Sequence, residues 1–301
     1  MEIANKDYRK YLTPETISSL SNIELKAKLV VEGFITGLHK SPFHGFSIEF
    51  AEHRQYRPGD EVRHIDWKVY GRSNRFYVKQ FEEETNLRSI VAIDSSASMK
   101  FASEGNISKF EYASYLGAAL IYLMMKQRDA AGLALYNTEI HKYLPPKSKM
   151  SYLSELLKTL ETTQPSDLTG TAKSLHLLAD KIKNRSLVIV ISDFFDNPDD
   201  VISALKHFRH NNHEVLVIQL LDPRELDFEF GFKSNFIDLE TQEDIVTEPI
   251  QIKKEYQKLL KEFTNKIEKG CRESKINYSL ITTSTPFDKA MKDYLNKRNR
   301  I

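Results

Sequence analysis

Residues 90–101 read IVAIDSSASMKF. Four apolar residues in succession run straight into an aspartate and a set of small hydroxyl side chains. An unbroken run rich in Val and Ile, with no polar alternation, fits a strand buried on both faces. The change at Asp94-Ser95-Ser96-Ala97-Ser98 marks the place where that strand leaves the core and a loop begins. Asp94, Ser96 and Ser98 occupy alternate positions, so one compact turn aims a carboxylate and two hydroxyls at a single point. These are hard oxygen donors of the kind that suit Mg²⁺. Capping of the following helix by the serines is the plain alternative.

Working outward, a second apolar run, LVIVI at 187–191, ends in Ser192-Asp193 as the first ends in Asp94. In an open doubly wound sheet the ligand site forms at the carboxyl ends of the strands, near the point where the strand order reverses. If the two strands are neighbours, Asp94 and Asp193 converge there. A third loop, Asp167-Leu168-Thr169-Gly170-Thr171, brings threonine hydroxyls beside a glycine just before an amphipathic segment in which Ala172, Leu175, Leu178, Ala179 and Ile182 share a helical spacing.

The rest of the chain alternates strand and helix. Helices are expected over 110–126, 150–161, 171–183, 197–210 and along the Ile252–Ile267 face, with a last one from Pro286; strands are expected over 131–136, 214–221 and 276–282. Glu139–Leu144 reads as a hairpin partner of 131–136, and Phe236–Val246 as a hairpin-like excursion turning at 240–243. This order predicts an α/β fold: a Rossmann-like, mostly parallel sheet with helices on both faces and one antiparallel edge hairpin over 87–301. Residues 1–86 read as a smaller α+β region. It opens with Thr13 capping a helix at Pro14, continues with a segment at 23–36, and turns to short strands and turns between Ser47 and Phe81.

Composition excludes several classes. The 301 residues are 41% hydrophobic and 28% charged with a formal charge of +1, so no global pull towards nucleic acid or anionic membrane operates. Arg54, Arg57, Arg63, Arg72 and Arg75 could form a phosphate track, but Glu49, Glu52, Asp60, Glu61 and Asp66 are interleaved with them. The single cysteine, Cys271, excludes an internal disulfide and every multi-cysteine metal site. The start MEIANKDYRKYL lacks the apolar core of a signal peptide and no run of about 18 apolar residues occurs, so the expected location is cytoplasmic. His39, His44 and His64 lack a third ligand at a spacing recognisable for zinc.

Asp94-x-Ser96-x-Ser98, Thr169 and Asp193 together resemble the metal-ion-dependent adhesion site of von Willebrand factor A domains. That resemblance implies that Asp94, Ser96, Ser98, Thr169 and Asp193 hold Mg²⁺, with Mn²⁺ as a substitute, some directly and some through water. The resemblance implies Thr169 over Thr171, because Thr169 precedes Leu175 by the spacing the family shows between its metal-site threonine and the first core leucine; Leu168 stands where the family often has glycine, which leaves Thr171 as the competing ligand.

A second resemblance lies upstream. Glu49-Phe50, Arg54, Tyr56, Pro58-Gly59-Asp60, Arg63 and Ile65-Asp66-Trp67, followed by Val78-Lys79-Gln80-Phe81-Glu82, is similar to the signature of the domain of unknown function 58 family, which precedes a von Willebrand factor A part. Without any family, Pro58-Gly59 fixes a turn and Trp67 reads as an anchor of the small region against the sheet. Arg54, Tyr56 and Arg57 are residue types favoured at interface hot spots and form a candidate partner surface.

The resemblance implies a non-enzymatic interaction module in which a partner's Asp or Glu completes the metal's coordination. It also implies a MoxR-type AAA+ ATPase as partner, with this chain as adaptor or co-chaperone. The enzymatic rival is a Mg²⁺-dependent phosphatase with Asp94 as nucleophile, which wants a second aspartate two residues on, where Ser96 stands. Asp94 is expected on a surface loop, so that its replacement by alanine leaves the fold intact.

Overall fold

The computed structural model describes residues 13–39, 53–56, 67–79, 87–166, 168–231 and 234–291. In chain order, helices α1 (Pro14–Ser18) and α2 (Ile23–His39) precede strand β1 (His53–Gln55), helix α3 (Trp67–Ser73) and strand β2 (Tyr77–Lys79). Then follow β3 (Arg88–Asp94), α4 (Lys109–Lys126), β4 (Ala130–Tyr136), β5 (Ile140–Lys147), α5 (Leu153–Thr162), α6 (Thr171–Lys181) and β6 (Leu187–Ser192). The remainder is α7 (Pro198–His210), β7 (Glu214–Leu221), α8 (Pro223–Asp227), β8 (Ser234–Ile237), β9 (Asp244–Thr247), α9 (Pro249–Glu273) and β10 (Asn277–Thr282), with a helical turn at 287–291.

Six strands form the main sheet in the order β10-β7-β6-β3-β4-β5, parallel throughout except for β5, which pairs antiparallel with β4 at one edge. The α/β expectation, with its mostly parallel sheet and antiparallel edge hairpin, holds. Pro145 and Pro146 fall in β5, where a missing N–H costs least because the strand is at the edge. The chain builds outward from β3 in both directions, with β4 on one side and β6 on the other. The order therefore reverses at the β3–β6 pair, and the crevice for a ligand opens at their carboxyl ends.

Alternation along β3 divides the core. Val91 and Ile93 face a layer built by α1, α2, α4, α5 and the turn at 287–291, while Ile90 and Ala92 face α6, α7 and α9. The first layer extends into the N-terminal part of the chain: Ile17, Ile23, Ala27, Val30, Val31 and Phe34 are buried in the same cluster as Leu116, Leu120 and Leu157. At α4 the cap is a reciprocal one, with Ser108 accepting from the Glu111 N–H and Glu111 accepting from the Ser108 N–H.

Two expectations for the N-terminal region are corrected. The stretch expected to hold only short strands and turns contains α3, whose Trp67 and Tyr70 lie one turn apart and gather with Phe76: the Trp67 ring meets Tyr70 edge-on at 6.1 Å, and Tyr70 stacks on Phe76 at 4.4 Å. Trp67 itself is 58% exposed and packs within this small cluster, instead of anchoring it to the sheet. Most of the upstream signature, including Arg57, Pro58-Gly59-Asp60, Arg63 and Asp66, lies outside the described residues, as do His44 and His64.

Candidate metal centre

Register decides which side chains meet. Asp94, the last residue of β3, is level with Tyr136 of β4, and the β3–β6 pairing of Ile93 with Ile191 sets Ser192 beside Asp94. Asp94 is wholly buried. Its Oδ1 accepts from the Ser96 N–H at 2.9 Å, and its Oδ2 accepts from the hydroxyls of Ser192 at 2.7 Å and Thr171 at 3.2 Å. The expectation of a surface-loop aspartate is therefore corrected: alanine here would open a hole and strand three donors. Asparagine is the substitution that keeps the volume.

Asp193 is equally buried and is turned into the same crevice by the backbone after it, where Phe194 adopts the left-handed conformation at φ 60° and its N–H donates to the Ser192 hydroxyl. A left-handed, fully buried phenylalanine is a costly local choice that the surroundings must enforce. Ser98 donates to Asp193 Oδ2 at 3.0 Å and lies 3.0 Å from the Ser96 hydroxyl. Asp94, Ser96, Ser98 and Asp193 are thus gathered at the carboxyl ends of β3 and β6. The main-chain oxygen of Asp193 is held by Gln219 of β7 at 2.8 Å, and Gln219 is held in turn by the Tyr278 hydroxyl at 2.6 Å.

The threonine loop divides. Thr171 points its hydroxyl at Asp94, while Thr169 gives both its backbone N–H, at 2.9 Å, and its hydroxyl to the carboxylate of Glu240. Gly170 between them is required by close packing, since a Cβ there would lie 2.8 Å from Thr138 Cα. The loop also rests on the site from below: the Ser166 N–H donates to the Ser95 carbonyl at 2.8 Å.

Sequence reasoning missed the cation of the site. Lys109, the first residue of α4, is 1% exposed and donates to Asp193 Oδ2 at 2.7 Å and to Glu225 of α8 at 2.6 Å. A signal existed, because a lysine in the first turn sits at the positive end of the helix dipole and needs an anion nearby. Burial alone would lower its pKa, but Asp193 and Glu225 more than offset this and raise it. Ser192 and Glu225 were also unforeseen, as was Tyr136, whose phenol burial, and then Asp94, push well up. For Asp94, burial first and the facing Asp193 second push the carboxyl up to about 6.

The donor set fits a divalent cation. Two buried carboxylates confront each other with hydroxyls between them, and Asp94, Asp193 and Glu225 with Lys109 carry two more negative charges than positive. Asp94 and Asp193 offer the charge, with Ser96, Ser98 and a threonine hydroxyl as neutral oxygens. Among the described residues no three His, Cys, Asp or Glu are grouped as a metal site, so any ion here rests on this hydroxyl-rich set. Of the candidate partner surface, Arg54 lies in β1 opposite Val78, and Tyr56 is half-buried, its N–H donating to the Phe76 carbonyl at 2.9 Å.

Residues 52–266 match the family model described as protein of unknown function DUF58. The chain belongs to the DUF58 family. The match takes in β1–β2 as well as most of the main sheet. Relatives of this DUF58 protein include an uncharacterized protein of Mycobacterium tuberculosis, 28% identical over 218 residues that cover 71% of this chain and 68% of the relative. Among solved structures, an aerotolerance-related membrane protein from Bacteroides fragilis superposes with a TM-score of 0.51 at 17% identity, covering 71% of this chain and all of that one. The SpRpn10 VWA domain matches with a TM-score of 0.42 at 12% identity over 69% of this chain and 94% of that chain. No helix among the described residues is long and apolar enough to cross a membrane.

Proposed function

We propose that this DUF58 chain is a non-enzymatic, Mg²⁺-dependent protein-interaction module. The observation that carries the reading is the pair of wholly buried aspartates, Asp94 and Asp193, converging with Ser96 and Ser98 at the switch point of the sheet. A divalent ion would relieve the repulsion between the two carboxylates, and a partner's Asp or Glu would complete its coordination. Asp94, Ser96, Ser98 and Asp193 would hold the ion, with Thr169 or Thr171 as the threonine ligand; the contact with Asp94 speaks for Thr171 and the resemblance for Thr169. The resemblance to the domain of unknown function 58 family supports a MoxR-type AAA+ ATPase as the partner, with this chain acting as its adaptor.

The absence of chemistry is part of the reading. Asp94 accepts three hydrogen bonds and has no exposed surface, a poor situation for a nucleophile, and Ser96 stands where a phosphatase of that type would want its acid. Calorimetric titration with Mg²⁺ and Mn²⁺ tests the centre. Saturable binding should be lost in Asp94→Asn and in only one of Thr169→Ala and Thr171→Ala. Binding that survives Asp94→Asn would overturn the assignment. Capture of the ATPase by the wild type, abolished by EDTA, tests the partner.

A further inference from the structure

The β8–β9 hairpin has no role in the core. Its two short strands pair only with each other, and Ile237, Ile245 and Val246 are more than half exposed. At its base Phe236 stacks on Phe228 at 5.6 Å, and Phe228 stacks on Tyr256 of α9 at 4.1 Å, so the hairpin stands on an aromatic foot. Its tip is shaped to present one residue. Asp238 accepts from the N–H groups of Glu240 and Thr241 at 2.7 and 3.1 Å, and Gln242 takes the left-handed conformation that turns the chain back.

The presented residue is Glu240. Among the described residues, the hydrogen bonds that tie the tip at 238–243 to the rest of the protein are the two that Glu240 makes with Thr169. A half-buried carboxylate reaching across 71 positions of sequence to a threonine of the candidate metal loop has a specific chemistry: it is the group that a partner is required to bring. We infer that Glu240 is an internal stand-in for the partner's carboxylate, so that the hairpin covers the metal centre from within and must swing away before a partner docks. This inference rests on the metal reading above. It narrows the partner to one whose acidic side chain is carried on an extended or hairpin segment, since that is the shape the site already accommodates. The exposed Ile237, Ile245 and Val246 ride on the moving element.

A labelled synthetic peptide of residues 234–247 serves as the probe, titrated against the full-length wild type and Glu240→Gln with Mg²⁺ or EDTA. Glutamine keeps the size of the side chain and removes the charge that competes. The expected result is Mg²⁺-dependent binding at least about tenfold tighter to Glu240→Gln than to the wild type, and none by a peptide in which Glu240 is itself replaced by glutamine. Equal binding to the two proteins, or binding that persists in EDTA, overturns the latch. A parallel Mn²⁺ titration of both proteins separates the causes: Mn²⁺ bound by both without a difference in peptide binding removes the latch alone, whereas no Mn²⁺ bound by either removes the metal reading and the latch with it.

Discussion

Asp94 is a carboxylate whose folded environment favours its proton, which is the reverse of the usual case. The unfolded chain titrates it near the ordinary value and the metal-free folded chain near 6, so between about pH 4 and 6 the folded state holds the extra proton. Stability of the metal-free protein therefore falls as pH rises through that window and stays low above it. Asp94→Asn removes the ionisation: in EDTA at pH 8 its Tm should exceed the wild type's by several degrees, on the order of 2 kcal/mol, and the advantage should disappear at pH 4. No advantage at pH 8 would show that neither burial nor Asp193 raises the Asp94 carboxyl. Saturating Mg²⁺, at roughly a hundred times Kd, should restore about 2.7 kcal/mol to the wild type and nothing to the variant. Lys109 is the complementary residue. Lys109→Met leaves the buried Asp193 and the partly buried Glu225 without their ammonium and should cost about 3–5 kcal/mol by urea unfolding at pH 7. A loss below about 1 kcal/mol would mean that the pair is solvated and contributes little.

At the scale of elements, α9 meets α7 through a glycine. A Cβ on Gly270 would lie 2.6 Å from Ile202 Cδ1 and 2.9 Å from its Cγ2, so Gly270→Ala should destabilise by about 1–3 kcal/mol. Ile202→Ala should rescue most of that loss in the double variant, and additive losses would place the strain elsewhere. Elements of this kind were legible where one period dominated: β3 is an apolar run ending in an aspartate, β6 is one followed directly by an aspartate, and α9 carries its apolar stripe over many turns. The hairpin at 236–246 was visible in its turn residues, but its target was not, since nothing local ties Glu240 to Thr169. Helix α3 was hidden because Trp67, Val69 and Tyr70 are strand-formers by propensity and Gly71 follows them; its aromatic cluster with Phe76 overrides that preference. Of the site, the carboxylates and serines could be read from strand ends. Lys109 carried a signal only as a lysine opening a helix; its pairing with Asp193 and Glu225 could not be read, because it depends on how α4 and α8 pack.

The molecule as a whole is knit more tightly across its length than two separate regions would require. Helices α1 and α2 complete the apolar layer over α4 and α5, so removing residues 1–39 strips Ile17, Ile23, Val30, Val31 and Phe34 from a shared core. The truncated chain should lose its cooperative thermal transition or aggregate, and a fragment that unfolds cooperatively with an unchanged Tm would show that the layer is dispensable. The aromatic cluster of α3 bears on how such experiments are read out. Trp67 is the chain's only tryptophan and is 58% exposed, so its near-ultraviolet emission should lie towards the red end already in the native protein. Melting of the main sheet would then be nearly silent in tryptophan fluorescence, which would follow the small upstream cluster alone. A tryptophan placed at Phe195, half-exposed with its ring 5.0 Å from the Lys109 ammonium, would move the optical reporter to the rim of the acidic crevice.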